Sequence, residues 1–532
     1  MATANHSARA MVPLQLLGLV LVVVAALMSQ TSTAQSATCY APSALNFTSA
    51  QGALWLNGQP FKLKGTSWFG FETGNKVVHG LWTSRSYLNL LDFLATNNFN
   101  AIRIPFYLDL VLNDAQPSSI NYGANPDLQG LSSMQVMDKV VQAAAARGLL
   151  IMFDLHSFLP DTNIQDNTWY NGANPESKVI SGWTKLLQRY KDQWNVFAAD
   201  IKNEPYAATW GTGNTGTDWN LAVARIADAI AASVSSRFLI FVEGVASSPA
   251  CTDACFWGEN LIGVRTHPVQ LRNPSKLVYS PHVYGPSVYG QPYFSVGNFP
   301  ANMPAIWDTH FGFIPSTTGS AVVIGEWGGH YTGSNQVWLE AMGNYLLSKR
   351  MTDQFFWCLN PNSGDTGGLL QNDWTTPEQS KLTLLAKVVP APTKFTTNAN
   401  GQVCVSGGSA PAVSASASPK AAVSASASPK AGVSASPSPK APAASASPSP
   451  KPSGGSNQFS FCCGSSVWWM AVTIPGSSSV RIDCGNGQGW QNMVAGWEQY
   501  VWTFASGNGQ PCSTTLKFQV NGGATQTVQA TF

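Results

Sequence analysis

Charge is scarce in this chain of 532 residues: Asp, Glu, Lys and Arg together make up 11%, where soluble domains carry about 25%. The two signs nearly cancel, with Lys+Arg 29 against Asp+Glu 27. There is therefore no basic excess of the kind a general nucleic-acid binder clusters on one face. Disorder is excluded as well, because 44% of residues are apolar, enough to build a large core. Beyond Met28 no apolar run reaches membrane length. Also lacking are two cysteine pairs, or a cysteine pair with a histidine pair, at finger spacing, which argues against a zinc site. What is plentiful is tryptophan (19), glycine (47) and proline (33). Aromatic rings in surplus beside sparse charge suit a ligand that is neutral, large and stackable, and sugar polymers fit that description.

Arg9, an apolar run from Met11 to Met28, and the small residues Ser32-Thr33-Ala34 follow the order of a secretory signal. Residues 1–34 are expected to be that signal, and the remainder to be secreted, extracellular or in a cell wall, with no membrane attachment after cleavage. The competing reading is a single anchor, but Pro13 and Gln15 break the run and leave it at the short limit for a span. Export puts nine cysteines where disulfides persist. Nine is odd, so at least one thiol stays unpaired within the chain. Cys358, inside Phe355-Phe356-Trp357-Cys358-Leu359, is expected to be that buried thiol. Cys39 and Cys404 flank the first globular region and can tie its ends, and Cys251 and Cys255 can close a short loop. Cys462, Cys463, Cys484 and Cys512 fall in one short tail, which they are expected to staple.

Composition breaks near Gly407. A near-repeat of ten residues starts at Val413, Val423 and Val433, rich in Ala, Ser, Pro and Lys. Such sequence cannot bury a core and is expected to form an extended spacer over 407–455. It separates a catalytic-sized region, 35–406, from a tail, 456–532.

In the large region, strand-like runs alternate with amphipathic stretches. The expected strands are Phe61–Thr66, Ala101–Phe106, Leu149–Leu155, Val196–Lys202, Phe238–Val242, Leu277–His282, Ala321–Gly325 and Gln354–Leu359. Helical periodicity marks Ser86–Asn97, Ser133–Arg147, Glu176–Tyr190, Trp219–Ser235 and Gln336–Lys349. This pattern predicts an α/β fold, a (β/α)8 TIM barrel, with a small all-β domain after the spacer. Active sites of that barrel sit at the C-terminal ends of the strands. Trp68, Arg103, His156, Asn203, Glu204, Glu243, His282, Tyr284, Glu326 and Trp357 all fall at or beside those ends. Any one of them could be an ordinary loop residue; the set points to a site.

Glu204, in Asn203-Glu204-Pro205, closes the fourth run, and Glu326, in Gly325-Glu326-Trp327, closes the seventh. Glycoside cleavage needs two such carboxyl groups, one to protonate the leaving oxygen and one to attack or steady the anomeric carbon. Together with Ala101-Ile-Arg103-Ile-Pro105-Phe and Asp154-Leu-His156, these motifs resemble a retaining hydrolase of glycoside hydrolase family 5. Trp68-Phe-Gly-Phe-Glu72-Thr, Val78-His79-Gly80-Leu-Trp82, Asp127-Leu-Gln-Gly130-Leu and Asn360-Pro-Asn-Ser-Gly-Asp365-Thr-Gly-Gly are similar to its endo-β-1,4-glucanase (cellulase) members. The resemblance implies double displacement without cofactor or metal, on cellulose or a related β-glucan, by a monomer. It makes Glu204 the acid/base and Glu326 the nucleophile. Arg103 and His282 would hydrogen-bond near the nucleophile, Tyr284 would touch it or the ring oxygen, Asn203 would hold the sugar 2-OH, and His156 would position the sugar. Trp357 would be the stacking floor. Trp68 and Trp82 extend that floor or belong to the core, two readings the sequence leaves open. Lys202 and Leu359 depart from the usual pattern, where relatives often carry an apolar residue or His and a second Trp.

The tail carries Trp468, Trp469, Trp490, Trp497 and Trp502 among short alternating runs, and reads as a small β-sandwich stapled by cysteines. Gly489-Trp490-Gln-Asn-Met493 and Thr525-Gln-Thr-Val528 resemble the polysaccharide-binding half of expansins. Those Trp residues are either a sugar-stacking row or the core of a small domain. Two alternatives to a cellulase remain: a mannan, xyloglucan or mixed-linkage glucan hydrolase or transglycosylase on the same barrel, and a non-catalytic wall-binding protein working through its tail. Asn46-Phe-Thr48 fits an N-glycosylation acceptor.

Overall fold

The computed structural model describes residues 37–162, 166–246 and 255–408, and in the tail 459–462, 469–487, 489–495, 501–505 and 512–530. The expected signal, the spacer from 409 onward, Cys251, Cys463, Trp468 and Trp497 lie outside the described residues. The chain divides into two compact units, one within 1–413 and one within 414–532.

Eight parallel strand positions build the first unit: Lys64–Ser67, Ala101–Tyr107, Leu150–Ser157, Val196–Asp200, Leu239–Val242, Leu277–Tyr279 with His282–Tyr284, Ala321–Val322 with Ile324–Gly328, and Gln354–Phe356. The sheet order runs from His282–Tyr284 through the eighth and first strands round to Leu277–Tyr279 and Ala321–Val322. Both ends of that order are halves of the same sixth and seventh strands, so the sheet returns on itself as a (β/α)8 barrel. The sixth strand was expected unbroken. Pro281 stands between its halves and has no N–H to give the ladder, so the strand shifts partners there.

The helices obey their caps. Ser86 and Ser132 each accept the N3 main-chain N–H, and Asn89 and Gln135 reach back to them, which starts Tyr87–Thr96 and Ser133–Ala145 where the periodicity begins. Three helical stretches carry no clear sequence signal. They are Leu108–Asn113, Gln379–Val388, and the broken series Met303–Trp307, Asp308–Gly312 and Ile314–Thr318, in which Pro304 and Pro315 interrupt the pattern.

The N-terminal end of the barrel is plugged. A hairpin, Phe47–Ala50 with Ala53–Leu56, brings Phe47 against Phe61, Phe197 and Phe395, and these pack with Phe241, Phe355 and the lower strand residues. Gly65 has no room for a side chain there, since a Cβ would come within 2.3 Å of the Phe355 ring. Thr38–Tyr40 pairs with Val403–Ser406, and Cys39 is bonded to Cys404 across that pair. Cys358 is a buried free thiol, and burial raises its pKa. With the bottom sealed, function is left to the opposite rim.

The tail forms two four-stranded antiparallel sheets. Met470, Val472, Phe504, Ile482, Leu516 and Phe518 lie in its core, and Cys484 is bonded to Cys512. Trp502 is half-buried, its Nε1 donating to Ser477 Oγ at 2.6 Å. Trp490 is also half-buried, with the Arg481 guanidinium 5.9 Å from its ring centre. Among the described residues no helix is long and apolar enough to cross a membrane.

Candidate active site

Arg103, on the second strand, is fully buried, yet it donates in several directions. Its Nη1 reaches Glu326 Oε1 at 2.5 Å, its Nε reaches Asp200 Oδ2 at 3.0 Å, and its Nη2 reaches Asn203 Oδ1 and Asp154 Oδ2 at 3.0 Å each. Burial alone would lower the guanidinium pKa, but the surrounding carboxylates outweigh it and raise the value well above normal. The charge is permanent, and it organises the rim.

Glu326 receives a second donor, the Tyr284 hydroxyl, at 2.5 Å on Oε2. Burial, then the Glu326 charge, push the Tyr284 pKa well up, so the phenol keeps its proton. Asn203 is oriented by Arg103: with Oδ1 accepting from the guanidinium, its amide N–H groups are left for the cleft it lines. His156 Nδ1 lies 2.7 Å from Asp154 Oδ2. Burial lowers the His156 ring to about 3 and raises Asp154 to about 6, so the imidazole is neutral with its proton on Nδ1.

Glu204 follows the fourth strand with φ +42°, a left-handed conformation unusual for a residue with a side chain. Its Oε1 lies 3.1 Å from His282 Nδ1. Burial works against the His282 imidazolium, but Glu243, Glu326 and Glu204 reverse the balance and raise its pKa well above normal. For Glu204 burial pushes upward, and the hydrogen bond and charge of His282 bring the carboxyl below its ordinary value. The two groups thus meet as an imidazolium–carboxylate pair, across which a proton can pass. An oxygen of Glu204, a nitrogen of His282 and an oxygen of Glu326 all lie within 4.8 Å of one another. Such a trio could hold a cation, but Arg103 and His282 already supply positive charge to the same two carboxylates.

These groups open on a cleft of about 340 Å³ walled by Trp357, Tyr284, Phe256, Trp257 and Tyr289. Trp357 is half-buried, its ring nearly parallel to those of Phe69 (5.7 Å, 8°) and His156 (5.7 Å, 12°). Trp82 is 40% exposed and meets His79 edge-on at 5.1 Å, which in turn meets Phe69. Trp68 is not part of this wall. It is wholly buried, with Nε1 donating to His79 O, so its ring belongs to the core beneath the site and offers no face to a ligand. Asp365 lines the cleft and also accepts from Ser363 Oγ.

Three features escape the sequence reading. Asp200 ends an otherwise apolar run, and its only signal is a carboxylate at a strand's last position. Tyr206 and Trp257 stack at 4.5 Å on loops after different strands, a pairing no local pattern reveals. The role of Lys202, visible in sequence only as a departure from the usual pattern, is the third: fully buried, it donates to the His156 and Asn203 carbonyls and so supports the site from below.

A (β/α)8 barrel whose rim holds two facing carboxylates in an aromatic-walled cleft is the layout of a glycoside-cleaving enzyme. Comparison with known proteins gives the family. Residues 56–363 match the model described as cellulase (glycosyl hydrolase family 5). The chain is 42% identical over 335 residues to the major extracellular endoglucanase of Xanthomonas campestris, covering 62% of this chain and 68% of that one. It is also 42% identical over 338 residues to an endoglucanase of Paenibacillus polymyxa, covering 63% and 84%. Among solved structures, the endocellulase of Pyrococcus horikoshii crystallised with cellotetraose aligns with TM-score 0.62 and 39% identity, over 66% of this chain and all of that one. The chain belongs to glycosyl hydrolase family 5, and it is a glycoside hydrolase.

Proposed function

We propose that the protein is a secreted, retaining endo-β-1,4-glucanase that cuts internal bonds of cellulose or related β-glucans through a glycosyl-enzyme intermediate. The carrying observation is the spacing of Glu204 and Glu326, with oxygens within 4.8 Å of each other. Retaining enzymes need about 5 Å, whereas inverting ones leave room for a water at about 6.5–9.5 Å. The named relatives are endoglucanases, and one of them is described as extracellular.

Glu326 attacks the anomeric carbon. Arg103 and Tyr284 hold both its oxygens, which aims the carboxylate at that carbon. Glu204 passes the proton it shares with His282 to the departing oxygen, then as a base takes one from the water that releases the sugar. The Asn203 amide donates to the 2-OH of the sugar being cleaved, a bond that tightens as charge builds on the ring. Trp357 and neutral His156 form the floor and side of that subsite, and Trp82 extends the floor outwards. The tail binds polysaccharide and keeps the barrel near its substrate.

The test is trapping with 2,4-dinitrophenyl 2-deoxy-2-fluoro-β-cellobioside. The reading expects a stable adduct on the peptide containing Glu326, and ¹H NMR expects the β-anomer as first product from cellotetraose. An α-anomer, or label on another residue, overturns it.

A further inference from the structure

Glu243 stands directly after the fifth strand, is wholly buried, and lies behind the cleft wall rather than on it. Its two oxygens serve two ends of one residue. Oε2 accepts the main-chain N–H of Glu204 at 2.7 Å. Oε1 lies 3.1 Å from His282 Nε2 and 3.4 Å from Arg103 Nη2, and the other nitrogen of His282 is the one that meets the Glu204 carboxylate. Glu204 has φ +42°, a conformation that persists for a residue with a side chain only where its surroundings hold it. The loop carrying Gly258 closes against the same groups. A Cβ there would come within 2.8 Å of His282 Cβ and 3.1 Å of Glu243 Oε2. The charged groups facing Glu243 are Arg103, His282 and Asp200, an oxygen of Asp200 lying within 4.8 Å of one of Glu243.

We infer that Glu243 is the positioning residue of the acid/base: it grips the Glu204 backbone directly and orients the Glu204 carboxylate through His282. The inference rests on the retaining reading above. Both Glu243 oxygens accept from N–H groups, so a glutamine must turn its own NH2 towards one of those donors and cannot satisfy both. The defect should fall on proton delivery, because Glu326 keeps its own holds on Arg103 and Tyr284.

The experiment compares a substrate that needs leaving-group protonation, cellotetraose, with one that does not, 2,4-dinitrophenyl β-cellobioside, in the full chain. For Glu243→Gln, kcat/KM on cellotetraose should fall at least 50-fold while that on the aryl glycoside stays within fivefold, and the pH profile on cellotetraose should shift. Glu243→Asp keeps the carboxyl group but shortens the reach, and the same selective loss is expected of it. Equal losses on both substrates, or no loss on either, would overturn the inference. If the unmodified enzyme cleaves neither substrate, the functional reading itself fails, and this inference with it.

Discussion

The Nη1 of Arg103 lies 2.5 Å from Oε1 of Glu326, a contact between residues on the second and seventh strands. The same guanidinium lies within 3.4 Å of Asp154, Asp200 and Glu243. Arg103 thus holds the proposed nucleophile and compensates the buried negative charge that the rim needs.

Arg103→Met should fail twice. Leaving these carboxylates without their partner costs about 3–5 kcal/mol of stability, read as a lower Tm. The activity that remains should be reduced more than 10³-fold. Arg103→Lys keeps the charge but not the fork, and should recover stability more than kcat.

Trp357 lines the cleft half-buried, its ring nearly parallel to those of Phe69 and His156. Trp357→Ala should cost about 2–3 kcal/mol of sugar contact, seen as a 30- to 150-fold lower kcat/KM on cellotetraose. Trp357→Phe should recover part of it. The Trp68→Phe variant should act through stability instead, because Trp68 is buried and faces no ligand.

His79 gives a pH prediction with a definite sign. Asn362 Nδ2 donates to its Nδ1, and Thr73 Oγ1 lies 3.0 Å from its Nε2, an arrangement that suits the neutral ring. Burial lowers its pKa to about 4. Between pH 6.5 and 4 the unfolded chain therefore binds more protons than the folded one, so stability falls as pH falls, by on the order of 3 kcal/mol at most. Denaturant titrations at pH 7 and pH 4.5 should show this slope in the wild type and a weaker one in His79→Gln.

Cys39 and Cys404 are 365 positions apart and join the two ends of the barrel unit. Chain-entropy arguments set a ceiling of about 5–6 kcal/mol for closing so long a loop. The Cys39→Ser/Cys404→Ser double variant should lose Tm by many degrees and keep its kcat at 25 °C, since the bond lies beside the plugged end and not the rim.

What the sequence revealed, and what it hid, follows from locality. Glu204, Glu326, Arg103 and His282 were visible because each is a polar residue interrupting an apolar strand run at a position the barrel makes functional. Cys358 was legible as a buried thiol because four bulky apolar residues surround it in sequence. Trp68 and Trp357 carry the same side chain at equivalent strand ends, and only the three-dimensional packing separates core from platform. The Tyr206–Trp257 stack joins loops after different strands, so no spacing encodes it. The broken helices between Met303 and Thr318 were hidden by Pro304 and Pro315, which helices tolerate near their first turn but which erase a simple periodic signal.

The central claim is that Glu326 is the nucleophile of a β-1,4-glucan hydrolase. Its most direct test is reducing-sugar release from soluble carboxymethyl-cellulose, with mannan and xyloglucan in parallel, by wild type and Glu326→Gly, the variant with and without azide. Wild type should cleave the cellulose derivative, the variant should not, and azide should restore part of the turnover as a glycosyl azide. Cleavage confined to mannan or xyloglucan would contradict the substrate. Undiminished activity in Glu326→Gly would contradict the mechanism.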